Sequence, residues 1–69
     1  MTEQENIEAL AEIFEKDVGG ISRETALEDL GWDSMTILGV MALSTAHGKG
    51  LTGDQVRTLK TVGDVLAYL

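Results

Sequence analysis

Cysteine is missing from the chain, so it holds no disulfide staple and no thiolate-bound metal. Proline is missing too. The single histidine, His47, rules out a histidine metal cluster and a convincing catalytic pair. One Phe, one Tyr and one Trp leave few rings to stack on nucleic-acid bases. Bases are scarce: five against twelve acids, for a net charge of −7. That balance argues against nucleic acid, whose binding begins with a basic surface, and against anionic membrane. No apolar run reaches the roughly 20 residues of a membrane span. The Met1-Thr2-Glu3 start is acidic, unlike the basic start of a signal peptide. The lack of cysteine fits a cytoplasmic protein.

What is present amounts to 69 residues, enough for a single domain, 1–69, with a thin core. Stability must come from packed apolar side chains. The charge is placed unevenly. Ten of the twelve acids lie at or before Asp33, and no charged residue occurs between Ser34 and Gly48.

Helical periodicity dominates. Thr2 with Glu5 fits a capping box. Ile7, Leu10, Ala11, Phe14 and Val18 then form one apolar stripe, with Glu8, Glu12 and Glu15 on other faces. Gly19-Gly20 is the expected stop. Residues 19–33 form a long connection in which Ile21, Leu27 and Leu30 can dip into the core. Within it, "TALEDL" could hold one helical turn. A second helix is expected over 34–47, with Asp33 or Ser34 as its N-cap and Gly48 as its stop. Met35, Ile37, Leu38, Val40, Met41, Ala42, Leu43 and Ala46 make it apolar on nearly every face. A helix of that kind is buried all round or shows apolar surface to a partner, and a domain this small can hardly bury every side. Thr52 with Gln55 opens a short third helix carrying Val56 and Leu59. Thr61 caps the last helix, whose apolar residues are Val62, Val65, Leu66 and Leu69, with Asp64 in its first turn. Strand-like alternation and internal repeats are lacking. The expected fold is all-α: a small four-helix bundle with three main helices and one short one.

The junction "LGWDSM", Leu30 to Met35, places a lone serine before the uncharged run. By itself such a serine is a helix cap. Its context is an acidic helix, a long loop, "LEDLGWDSM", an apolar helix, "HG", a short helix and "TVGDVLAYL". That order resembles the acyl carrier proteins and the related carrier domains of polyketide and peptide synthesis. The resemblance runs from about Ile7 to Leu69 and is strongest at "LGWDSM" and "TVGDV". It implies that Ser34 receives 4′-phosphopantetheine from coenzyme A, through a separate phosphopantetheinyl transferase. The thiol of that arm would hold an acyl or related group as a thioester. Acyl-activating, condensing or acyl-transfer enzymes would be the partners, and the carrier itself would catalyse nothing. Asp33 matches the family's aspartate that helps bind the transferase's metal ion. Cargo and pathway are not written in the residues.

The residues agree with this role. Ser34 has no histidine or lysine base near it in sequence, so it makes a poor catalytic nucleophile. A phosphodiester on it would sit beside free N–H groups and the positive end of a helix. Gly31 either gives the loop a tight path into the helix or is an ordinary loop glycine. Trp32 occupies a variable position of the motif; it packs over the loop or meets the arm and its partners.

The sequence also departs from the family. Housekeeping fatty-acid carriers usually have acids shortly after the serine, where this chain has Thr36 and Gly39. The expected docking surface is therefore apolar: Trp32, Met35, Thr36, Gly39 and Val40, with Leu43 in reserve. Leu38, Met41 and Ala42 are expected in the core. A specialised pathway with dedicated partners follows. Near the helix end Ala46-His47-Gly48 lacks the family's phenylalanine, which either leaves room for a bound chain or only alters packing. His47 fits a polar residue at the negative helix end. A start methionine close to the first helix, with no linker at either end, points to a freestanding carrier; a monomer is expected, with weak self-association through the apolar second helix left open. The alternative is a small helical interaction module that binds through its apolar second helix and carries no cofactor.

Overall fold

The computed structural model describes residues 2–69; Met1, the start methionine behind the freestanding expectation, lies outside them. The first helix, α1, runs Glu3–Phe14. Its capping box is present. Glu5 N–H donates to Thr2 Oγ1 at 3.2 Å, and Thr2 N–H donates to Glu5 Oε1 at 3.0 Å. Asn6, Ile7, Leu10, Ala11 and Phe14 are its buried residues.

This helix stops before the expected Gly19-Gly20. Glu15 adopts the left-handed conformation, with φ 56°. Its N–H returns to the Glu12 carbonyl at 3.2 Å, and Lys16 N–H returns to Ala11 at 3.0 Å. That pair of bonds is a Schellman stop, here built without glycine. It turns the chain away from the stripe, so Val18 is 40% exposed in a 3-10 turn, Val18–Gly20.

The connection to the second helix is ordered by its own contacts. Ile21, Leu27 and Leu30 are buried as expected, the last two in a 3-10 turn, Leu27–Leu30. Its backbone is laced to the loop before the last helix. Leu27 N–H donates to Lys60 at 2.9 Å, Val62 N–H to Thr25 at 3.0 Å and Gly63 N–H to Arg23 at 2.8 Å. Ala26 and Thr61 form one antiparallel bridge there. Gly63 permits the approach, because a Cβ would stand 3.1 Å from the Arg23 carbonyl oxygen.

Three more helices follow: α2 (Ser34–Ala46), α3 (Gly53–Val56) and α4 (Val62–Leu66). Thr52 with Gln55 and Thr61 with Asp64 form the caps of α3 and α4. Only five residues of α4 are helical, and a turn carries the chain on to Leu69. The architecture is the expected helical bundle around Leu10, Phe14, Leu27, Leu30, Val40, Leu51, Val62 and Val65.

In α2 the buried face is narrower than its composition implies. Val40 and Ser44 are its buried residues. Leu38, expected in the core, is 65% exposed; Ala42 is exposed and Met41 half-buried. Gly39 faces α1, where its would-be Cβ lies 3.0 Å from Ile13 Cγ2. Ser44 is fully buried and uses its hydroxyl twice, donating to the Tyr68 carbonyl at 2.6 Å and accepting Leu51 N–H at 3.0 Å. One side chain thus joins α2, the following loop and the last turn.

Candidate functional site

The head of α2 is assembled from the loop upward. Leu30 anchors the loop in the core. Gly31 turns it with φ 83°, a conformation that favours glycine, which decides its two readings for the tight path. Trp32 is half-buried and lies against Phe14, ring centroids 6.0 Å apart and tilted by 45°. It therefore does pack over the loop, with one part left to solvent.

Asp33 is the N-cap, and it forms a capping box with Thr36. Thr36 N–H donates to Asp33 Oδ1 at 3.0 Å, while Asp33 N–H donates to Thr36 Oγ1 at 2.9 Å. The Thr36 hydroxyl lies 3.0 Å from the Gly31 carbonyl, which accepts from it. These donors hold the Asp33 carboxyl below the usual aspartate range, the Thr36 backbone N–H contributing most. Thr36, expected among the docking residues, is thus half-buried and engaged in shaping the helix start.

Ser34 is the first residue of α2 and is exposed. The cap leaves its hydroxyl out of the hydrogen-bond set. Its backbone N–H sits in the first turn, where no intrahelical acceptor exists, and that of Met35 beside it is directed to the Asp33 carboxyl. No acid follows in that turn. A phosphodiester on Ser34 Oγ would meet the Ser34 N–H at the positive end of a 13-residue helix. The residues present therefore fit such a group. The single histidine, His47, caps the opposite end of α2.

The remaining expected docking residues divide. Met35 is 83% exposed and available. Val40 is fully buried, so it belongs to the core and no partner touches it. Gly39 is half-buried against Ile13, where its missing side chain brings two helices together. Leu38 takes the outward place instead, with Met35 and Ala42 on the same face.

Two hollows are lined by residues that lie close to the serine in sequence. One, about 340 Å³, is lined by Ala26, Leu27, Glu28, Trp32, Leu59, Lys60 and Thr61. The other, about 270 Å³, is lined by Ile13, Phe14, Glu15, Asp33, Met35 and Thr36. Among the described residues, no cluster of three metal-ligating side chains occurs, and no helix is long and apolar enough to cross a membrane.

An exposed hydroxyl at the head of a capped apolar helix suits a protein that is acted upon. Comparison with known proteins gives this class its family. Residues 7–69 match the family described as the phosphopantetheine attachment site. Acyl carrier proteins of Rickettsia canadensis (strain McKiel) and Rickettsia massiliae (strain Mtu5) are each 36% identical over 69 residues. The alignment covers 97% of this chain and 80% of theirs, and the acyl carrier protein of Rickettsia rickettsii (strain Iowa) gives the same figures. No solved structure matches the chain. The chain belongs to the phosphopantetheine-dependent acyl carrier protein family. Its cofactor is 4′-phosphopantetheine, and it is a carrier and not an enzyme. Such proteins work with transferases and acyl-handling enzymes.

Proposed function

We propose that residues 1–69 form one carrier domain whose Ser34 bears the 4′-phosphopantetheine arm and presents an acyl or related thioester to partner enzymes. The observation that carries this reading is the exposed Ser34 hydroxyl at the first position of α2, held at the helix head by the Asp33–Thr36 box. Ser34 contributes the oxygen of the phosphodiester, and a separate transferase moves the arm from coenzyme A onto it. Asp33 stands beside it as an ionised carboxylate suited to that transferase's metal ion.

The pathway is a specialised one. The exposed face of α2 carries Met35, Leu38 and Ala42 and no charge, so partners meet an apolar ridge. Housekeeping enzymes that search for acids along this helix find none. Their affinity is expected to be poor, and that of the dedicated partner only mildly salt-dependent. Tight, strongly salt-sensitive binding to a housekeeping ketosynthase would contradict this.

Incubation with coenzyme A and a broad-specificity transferase, followed by intact mass measurement, tests the attachment. One arm should add to the native chain and none to Ser34→Ala, although Ser22 and Ser44 remain. No addition to the native chain, or an arm on Ser34→Ala, defeats the assignment.

A further inference from the structure

The first turns of α1 hold a polar group that the attachment of an arm does not use. Asn6 is 8% exposed, yet its carboxamide oxygen, Oδ1, accepts no hydrogen bond. Among the described residues it is the one buried side-chain polar atom left without a partner. A buried acceptor in that state is costly, and native folds nearly always give it a donor. Asn6 lines a hollow of about 240 Å³ between α1, the loop at Arg23 and α4. Leu66, Ala67 and Leu69 give the hollow apolar lining, and Glu3 and Arg23, paired as ions and each about half exposed, complete it. The hollow is remote from the serine. Phe14, at the other end of α1, packs on Trp32 of the serine loop. A rise of about 1.5 Å per residue puts Asn6 about 12 Å along the helix from Phe14.

We infer that this hollow receives a tryptophan side chain of a partner protein, with the indole N–H donated to Asn6 Oδ1 and the ring between Arg23 and the wall of Leu66, Ala67 and Leu69. Each lining group has its counterpart in that ring. The orphan is an acceptor, and indole brings one donor and no acceptor, so the pairing leaves nothing over. A tyrosine hydroxyl would bring a second acceptor with it. The guanidinium of Arg23 suits the negative face of the ring. Glu3 and Arg23 offset one another, so the lining has no net charge to call for an ionic ligand. The volume lies under the roughly 300–1,000 Å³ of pockets that enclose a drug-sized molecule, which suits a single side chain. Oδ1 is itself covered in the unbound chain, and the soft χ2 torsion of asparagine lets it turn into the hollow. A buried tryptophan is a common anchor of protein interfaces. A partner held by it at this end leaves Ser34 and the ridge of α2 free for a second contact.

The anchor stands apart from the attachment at Ser34, so it is tested on the native chain without an arm. Amide chemical shifts are followed by NMR as indole, 1-methylindole or N-acetyltryptophanamide is added. Indole should shift Asn6, Gly63 and Ala67. It should bind about fivefold more tightly than 1-methylindole, whose ring nitrogen has no hydrogen to donate, the factor expected of one hydrogen bond. In Asn6→Leu that preference should vanish, while 1-methylindole keeps its affinity within about twofold and so shows the hollow intact. N-acetyltryptophanamide, the side chain as a protein presents it, should shift the same residues. Equal affinity of the native chain for indole and 1-methylindole overturns the inference, as does a preference that survives in Asn6→Leu. Binding of indole with N-acetyltryptophanamide shut out would make the hollow a small-molecule site and overturn the partner. Absence of shifts with all three probes would leave Oδ1 to an ordered water and overturn the site.

Discussion

Gly39 offers the sharpest test of how α1 and α2 meet. In the interior of a helix, alanine is favoured over glycine by about 1 kcal/mol. On that ground alone Gly39→Ala would stabilise the protein. The structure predicts the opposite. The new Cβ would lie 3.0 Å from Ile13 Cγ2, well inside the roughly 3.5–4.0 Å of a favourable carbon contact. Ile13 is β-branched and helical, so its χ1 is stiff and Cγ2 cannot swing aside. The helices must separate instead, and overpacking of this kind costs about 1–3 kcal/mol. Taking about 2 kcal/mol for the clash and about 1 for propensity, Gly39→Ala should destabilise by about 1 kcal/mol. In an Ile13→Ala background the obstructing carbon is gone, and the same change should stabilise by about 1 kcal/mol. Urea unfolding followed by circular dichroism on all four variants measures the coupling. If Gly39→Ala stabilises equally in both backgrounds, the two helices do not approach at this point.

Ser44→Ala removes the hydroxyl that accepts Leu51 N–H and donates to the Tyr68 carbonyl. It leaves buried polar groups unpaired, so a loss of about 1–3 kcal/mol is expected, seen as a fall of melting temperature of at least about 4 °C; an unchanged melt would refute the hub. Glu5, Asp33 and Asp64 all have carboxyl groups held below their ordinary values, 4.5 for Glu and 3.8 for Asp, chiefly by backbone N–H donors of Thr2, Thr36 and Lys60 respectively. Their folded-state affinity for protons is lowered, so the stability they contribute is present above those ordinary values and is lost as pH falls through the folded ones. Urea midpoints should therefore drop below about pH 4.5, and Asp64→Asn should flatten part of the drop. A midpoint constant from pH 7 to 3 would count against the caps.

Where polar and apolar residues alternate, the sequence could be read directly. The acids of α1 mark its solvent side, so its buried stripe was legible through Phe14. The boxes at Thr2 and Thr52 are legible from the three-residue spacing of their partners; Thr61 is legible as a cap, but that Asp64 closes a box with it is seen only in the structure. The fourth box is legible only in part: the sequence offers Asp33 as a cap, but nothing in it separates Thr36 from the docking residues, and the Thr36 hydroxyl in fact closes the turn. The buried side of α2 was not legible, because a helix apolar all round gives periodicity no direction. Hence the sequence points Val40 outward and Leu38 inward, the reverse of what is found. Ser44 left no signal, since a serine reads as surface unless its two partners are known. The early end of α1 was hidden because the left-handed residue is Glu15 and not a glycine.

Trp32 has one more consequence. It is the chain's single tryptophan. It stands two positions before Ser34, partly shaded by Phe14 and forming a wall of the 340 Å³ hollow. The protein thus contains its own optical label at the place where events occur. Arrival of an arm, a cargo or an enzyme alters the water around that indole, and its emission will report each one without any dye.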